Sequence, residues 1–117
     1  MSYIDGFMAP VPLANRETYL RHCREAAEVF KEHGATQVVE TWGDDVPEGQ
    51  LTSMPMAVKL EPGEVVVFSW IVWPDKVVRD AGWAKVMADP RMQPGKSPMP
   101  FDGKRLIYGG FTPILDV

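Results

Sequence analysis

The chain has 117 residues and a mass of 13.1 kDa, which is room for one domain and not for two. With 45% hydrophobic and 24% charged residues it is an ordered, soluble, globular protein, and no apolar run approaches the ~20 residues of a membrane-spanning helix. The net charge of −4 offers nucleic acid no general attraction. A single cysteine, and a first segment without the basic-then-apolar pattern of a secretion signal, predict a cytoplasmic location.

The first half of the chain predicts a strand, a helix, a second strand and an extended excursion. Residues 3–11 form the strand, and Asn15 begins a helix that Gly34 ends near residue 33. Residues 36–42 alternate apolar and polar side chains, as a strand does. Residues 43–49 read as a loop, and residues 51–60 as an extended segment that Pro55 keeps out of the sheet centre. The helix has one apolar stripe, formed by Tyr19, Cys23, Ala26, Ala27 and Phe30.

The second half repeats the order of strand, helix and strand. Residues 64–73 are the most strand-like segment, and Asp75 caps a helix in which Gly82 costs up to ~1 kcal/mol relative to alanine. Residues 92–103 form a long proline-rich loop, and residues 104–115 supply the last strand. The Gly109–Gly110 pair permits a bulge or a close approach of a neighbouring backbone. The expected apolar stripe of this helix is Val77, Ala81, Ala84 and Ala88.

These elements predict an α+β fold of the ferredoxin-like type, a βαββαβ antiparallel sheet with two helices on one face, spanning residues 1–117 as a single domain. The predicted spatial order of the strands is last, first, third, second, because the two halves interleave through right-handed crossovers.

The third strand predicts a homodimer. Val65, Val67, Ile71 and Trp73 alternate with Val66, Phe68, Trp70 and Val72, so both faces of this strand are apolar. Two helices cover only one face, and a second copy of the chain is the simplest cover for the other. The alternative is that residues 43–60 and 89–103 fold back over it, but those segments are rich in proline, glycine and charge.

Five motifs are distributed over the chain: YIDGF at 3–7, VETWGDDVP at 39–47, FSW at 68–70, ADPRM at 88–92 and FDGKRLIYGGF at 101–111. Together they resemble the domain-of-unknown-function family typified by the bacterial YbaA protein, nearly from end to end. The resemblance implies a dimeric α/β barrel, in which two ferredoxin-like chains join their sheets. It implies no established substrate, cofactor or catalytic residue.

Two carboxylates are the candidate catalytic groups. Strand alternation places Asp5 and Glu40 on one side of the sheet, and we expect that side to face away from both helices, into the barrel cavity. A carboxylate among aromatic rings has a raised pKa and can serve as a general base. The alternative is that both acids lie at strand ends or bond to backbone and Arg105. The predicted ligand-binding residues are Asp5, Glu40, Trp42, Trp70 and Tyr108.

No cofactor is predicted. Haem-degrading proteins of the wider barrel group use a histidine on the second helix beside a tryptophan on the third strand. Trp70 fits that pattern, but His22 and His33 both lie on the first helix, so haem is not expected.

No metal site is predicted either. The acidic residues Asp44, Asp45 and Glu48 are typical of a solvated turn, and the two histidines have no ligand spacing. Cys23 lies on the apolar stripe and is expected to be a buried packing thiol rather than a nucleophile.

Three functional classes remain open. The first is a homodimer that binds a small organic molecule in the barrel cavity, without nucleic-acid or membrane partners. The second is a cofactor-independent oxygenase or isomerase that uses a cavity carboxylate as base. The third is a structural or regulatory dimer whose interior is filled by its own side chains.

Overall fold

The computed structural model of the chain describes residues 2–93 and 99–117. Strand order across the sheet is β2-β3-β1-β4, all neighbours antiparallel, which confirms the predicted ferredoxin-like arrangement. In chain order the elements are β1 (Tyr3–Pro12), α1 (Arg16–Glu32), β2 (Gln37–Trp42), the short helix α2 (Met54–Ala57), β3 (Glu64–Trp73), α3 (Lys76–Ala88) and β4 (Ile107–Phe111).

Two segments differ from the sequence prediction. The stretch expected to be extended contains α2, because the Ser53 hydroxyl accepts a hydrogen bond from the Met56 N–H at 3.1 Å and Pro55 stands in the first turn, where its missing N–H costs nothing. The last strand covers only Ile107–Phe111, less than half of the predicted span, and residues Gly103–Arg105 before it form a 3-10 turn.

The strand register decides which side chains face the helices. Asp5 lies opposite Ile71, and Ser69 lies opposite both Phe7 and Glu40, so all five share one face. That face is covered by α1 and α3. The opposite face, here called the open face, carries Ile4, Met8, Val39, Thr41, Val66, Phe68, Trp70, Val72, Ile107 and Phe111.

The core consists of two clusters beneath the helices. One surrounds Trp73, which is fully buried between the end of α1 and α3. The other joins Val11 to Tyr19 and Cys23 at the start of α1. The stripe predicted for α1 is confirmed at Tyr19, Cys23 and Phe30, all buried.

The buried face of α3 is rotated from the predicted stripe. Val77 is 79% exposed, whereas Gly82 and Val86 are buried. A Cβ on Gly82 would lie 2.4 Å from a ring carbon of Trp73, so the absence of a side chain lets α3 approach the sheet. At Gly110 the close approach is made by a side chain and not by the predicted neighbouring backbone, since a Cβ there would meet the Tyr3 hydroxyl.

The excursion between β2 and β3 covers one end of the open face. The Gly43 N–H donates to the Val66 carbonyl oxygen at 2.8 Å, and Val66 and Pro10 are buried although both lie on that face. At the other end Phe68, Ile107 and Phe111 stay 42%, 42% and 61% exposed. Residues 43–60 therefore cover only part of the open face, which was the alternative to a second copy of the chain considered from the sequence. Across the described ranges, no helix is long and apolar enough to cross a bilayer.

Candidate functional site

A cavity of about 230 Å³ lies between α1 and the helix-facing side of the sheet, here called the α1 pocket. Its volume is below the ~300–1,000 Å³ of drug-sized ligand sites, so it suits a small molecule. Its polar residues are grouped at Glu40, with Tyr19, His22, Cys23 and Ser69 around it. The rest of its wall is apolar and combines aliphatic with aromatic side chains, among them Phe7, Ala26, Phe30, Trp83, Met92, Met99, Phe101 and Leu106.

Glu40 is the acid of this pocket. It projects from the edge strand β2 toward α1, and the Tyr19 hydroxyl donates a hydrogen bond of 2.7 Å to its Oε1. Desolvation beneath the helix raises the pKa of Glu40, and hydrogen bonds from Tyr19, Cys23 and Ser69 oppose that shift. The residue as a whole is solvent-accessible through the pocket. A carboxylate in this position can accept a hydrogen bond or a proton from a bound molecule.

The neighbours of Glu40 keep their protons. Burial, followed by the adjacent Glu40 charge, raises the pKa of the Tyr19 hydroxyl. The same two causes raise the pKa of Cys23 to about 12, so this buried thiol is not a nucleophile at neutral pH. The packing role predicted for Cys23 is confirmed, because the thiol lies buried in the cluster with Val11 and Tyr19.

Asp5 is not in the α1 pocket. It is 3% exposed beneath α3, and its carboxylate accepts four N–H groups from three side chains. Trp73 Nε1 and Trp83 Nε1 donate to Oδ2 at 2.9 and 2.8 Å, and Arg79 Nη2 donates to Oδ1 at 2.7 Å. With its oxygens occupied in this way, Asp5 acts as the anchor of α3 on the sheet and not as a base.

The expectation that Asp5 and Glu40 face away from both helices is wrong, although they do share one face of the sheet. It assumed that the helices offer a carboxylate no partner. In fact α3 supplies Arg79 and Trp83, and α1 supplies Tyr19. Arg79 and Trp83 are four residues apart on one helix face, and this spacing of two N–H donors was the signal in the sequence.

The other three predicted ligand residues do not converge with Glu40. Trp42 lies beside the pocket, 6.2 Å from the Tyr19 ring, with the Arg16 guanidinium 5.5 Å from its own ring. Trp70 lies on the open face against Phe68. Tyr108 is 74% exposed at the sheet edge.

From its length and its prolines, the sequence predicts that segment 89–103 packs along the subunit junction or over the mouth of the barrel cavity, anchored by Met92, Met99 and Phe101. All three line the α1 pocket, and the Phe101 ring meets Tyr19 edge-on at 5.9 Å. The Asn15 side chain ties the loop to α1 by donating to the Pro100 carbonyl at 2.8 Å. The three anchors therefore pack at the α1 pocket of their own chain and not at a barrel cavity, while residues 94–98 lie outside the described ranges.

A larger hollow of about 480 Å³ lies on the outer surface between residues 43–60 and the start of β3. It is wide open to solvent and includes Asp44, Glu48 and Lys59. Among the residues that the structure describes, no three His, Cys, Asp or Glu side chains are grouped to hold a metal ion.

The fold and the pocket define an α+β protein of ferredoxin-like architecture, with a small aromatic cavity and one acid beneath its first helix. Residues 2–103 match the family described as "Protein of unknown function (DUF1428)", and the chain belongs to that family. Its relatives include the uncharacterized protein YbaA of Escherichia coli K12 and that of Shigella flexneri. Each is 53% identical to this chain over 116 residues, covering 99% of both chains.

A solved structure shares the fold at low sequence identity. A mutant of SnoaB, a cofactor-independent oxygenase from Streptomyces nogalater, superposes with a TM-score of 0.52 at 17% identity. The likeness covers 99% of this chain and 94% of that one, and at this identity it shows the fold alone.

Proposed function

We propose that this chain is a homodimer that binds a small, largely aromatic molecule in the α1 pocket of each protomer. The observation that carries the proposal is the distribution of polarity in that pocket. Its wall is apolar except around Glu40, where one acceptor is held by Tyr19 at 2.7 Å. An apolar cavity with one fixed polar group selects a flat ligand with one donor and orients it.

The pocket replaces the barrel interior as the expected site. The ligand would lie against Phe7, Phe30 and Trp83, whose rings offer edge and face contacts. Its donor group would meet Glu40. A charged ligand would be disfavoured, because desolvating a charge against an aromatic wall is costly.

Ala26 and Ala27 provide a matched test. Ala26 lines the α1 pocket, whereas its neighbour Ala27 lies on the outer side of the same helix beside Arg24 and Lys31. The probe is 2-naphthol, a bicyclic aromatic alcohol, titrated by calorimetry. Ala26→Leu should weaken binding roughly tenfold or more by filling the pocket, and Ala27→Leu should leave it unchanged. The proposal fails if the unmodified protein does not bind 2-naphthol, or if Ala26→Leu binds it equally well.

Glu40 favours proton transfer as a second candidate function. A carboxylate with a raised pKa can remove a proton from a carbon next to a carbonyl group and leave an enolate. That step precedes isomerisation, or reaction with dioxygen as in a cofactor-independent oxygenase, the activity named for the structural neighbour.

Deuterium exchange into 2-tetralone, followed by NMR, measures this step directly. The rate should rise with pH through the raised pKa of Glu40, which Tyr19, His22 and Cys23 on α1 and Ser69 on β3 surround. Glu40→Gln should reduce the exchange to the buffer rate while 2-naphthol still binds. Exchange that persists in Glu40→Gln would exclude this role.

The homodimer is supported by the open face. Phe68 and Trp70 pack together there, with their rings tilted by 47° and their centroids 5.6 Å apart, and Phe68 is 42% exposed although it lies mid-strand. An exposed aromatic pair in the middle of a sheet is typical of an interface. A second copy presents the same patch, as a two-fold interface requires.

A further inference from the structure

Three of the six residues that follow β4 are aliphatic, and their side chains project into solvent. Ile114, Leu115 and Val117 are 97%, 77% and 108% exposed. Within the described ranges no hydrogen bond or ion pair holds residues 112–117, here called the arm. Three aliphatic side chains in water on one short segment are unusual for an isolated protomer.

The open face has an apolar depression that is concave, whereas the side chains of the arm project outward. It has a volume of about 230 Å³ beside β4 and is lined by Met8, Phe68, Ile107 and Phe111, with Gly6 and Gly109 at its base. Gly6 and Gly109 face each other across the strand pair, and the Phe111 ring lies close to both, since a Cβ on either would be 3.6 Å from it. No charged side chain lines it, so an aliphatic side chain fits it better than a polar ligand.

We infer that the arm of one protomer packs into this depression on a second copy of the chain. The inference rests on the proposed homodimer and identifies the segment that holds it together. The chain carries both the apolar arm and the apolar depression but does not join them, and a two-fold pair satisfies both at once.

The area of the open face also favours the arm of a second copy as the segment that packs there. Over the five residues of β4, four strands ~4.8 Å apart with ~3.3 Å per residue present roughly 300 Å² in projection. A stable interface needs about 800 Å² per partner. Accessible area exceeds such a flat projection, but residues 43–60 already cover the far end of this face, so the exposed part of the sheet is small for an interface and the arm would add apolar area to it.

Two exposed leucines allow a matched test. Leu115 is on the arm, and Leu51, which is 96% exposed, is in the excursion between β2 and β3, far from the arm in the sequence. Sedimentation equilibrium of the full chain should show a dimer. Leu115→Asp should raise its dissociation constant roughly tenfold or more, and Leu51→Asp should leave the constant unchanged. Because Leu115 is 77% exposed in its own protomer, circular dichroism of Leu115→Asp should match that of the unmodified protein.

Cross-linking identifies the receiving surface. When Leu115→Cys is mixed with Phe68→Cys under mild oxidation, a mixed disulfide dimer should form, and Leu51→Cys mixed with Phe68→Cys should not form one. A monomeric unmodified protein would overturn the homodimer and this inference together. A dimer whose dissociation constant is the same in Leu115→Asp, or that gives no Leu115–Phe68 disulfide, would overturn the inference alone.

Discussion

Asp5 shows at the scale of one residue how a charge is kept in a core. Its carboxylate is surrounded by the N–H groups of Trp73, Trp83 and Arg79, and the Arg79 guanidinium also lies 5.0 Å from the centre of the Tyr3 ring. Such an arrangement contributes little net stability over an apolar core, but removing one partner leaves the other charge buried.

Asp5→Asn should therefore lower the free energy of unfolding by about 2–4 kcal/mol, because the neutral amide accepts fewer of these bonds and leaves Arg79 with only the half-exposed Asp80 as an ionic partner. Urea denaturation at pH 7 measures the change. Asp80→Asn is the control, since Asp80 also binds Arg79, at 3.0 Å, but is half exposed, and its replacement should have little effect. A stability of Asp5→Asn equal to that of the unmodified protein would mean that Arg79 reaches solvent and needs no partner.

The helices and strands were predictable from the sequence, but the face that α3 buries was not. The order of the elements, the N-terminal cap of α3 at Asp75 and the limits of β3 and α3 follow from local signals in the sequence. The buried face of α3 does not, because Gly82 enters the core only through the close approach of Trp73, a contact between distant parts of the chain. A stripe of alanines and a valine predicted the wrong face, and a helix this short has too few apolar residues for the pattern to decide.

The ends of α1 and α3 are joined by an ion cluster that should make stability depend on pH. Arg91 binds Glu32 and Asp89, and His33 lies 3.1 Å from Asp89. Hydrogen bonds from Arg91 hold the pKa values of Asp89 and Glu32 below their usual values of about 3.9 and 4.3. Groups with a lowered folded-state pKa stabilise the protein above the unfolded value, and that stability is lost as the pH falls.

Arg91→Ala should therefore destabilise the protein at pH 5, and the difference from the unmodified protein should shrink as the pH falls to 3. Urea denaturation at several pH values measures it, with Arg24→Ala as a control at a position that has no ion pair among the described residues. A difference that stays constant over this range would show that Arg91 acts through packing alone.

For the whole molecule, the βαββαβ order of the elements was enough to predict the sheet and its strand order, and the two apolar faces of β3 predicted a surface in need of cover. The location of the candidate site was not predictable in the same way. It depends on whether a carboxylate finds a partner beneath a helix, and only the packed structure brings Tyr19 to Glu40 and Arg79 to Asp5. The pocket itself was assigned to the barrel interior because the helix side was expected to be dry.

Substitutions at two adjacent residues of β3 test folding and assembly separately. Val67 faces the helices and is 2% exposed, whereas Phe68 faces outward and is 42% exposed. From the sequence alone, an aspartate at either position was expected to harm folding and assembly together. The structure predicts that Val67→Asp unfolds the protein, because the charge has no partner in the cluster around Val11 and Tyr19. Phe68→Asp should keep its circular dichroism spectrum and sediment as a monomer, and if it sediments as a dimer, the open face is not the interface.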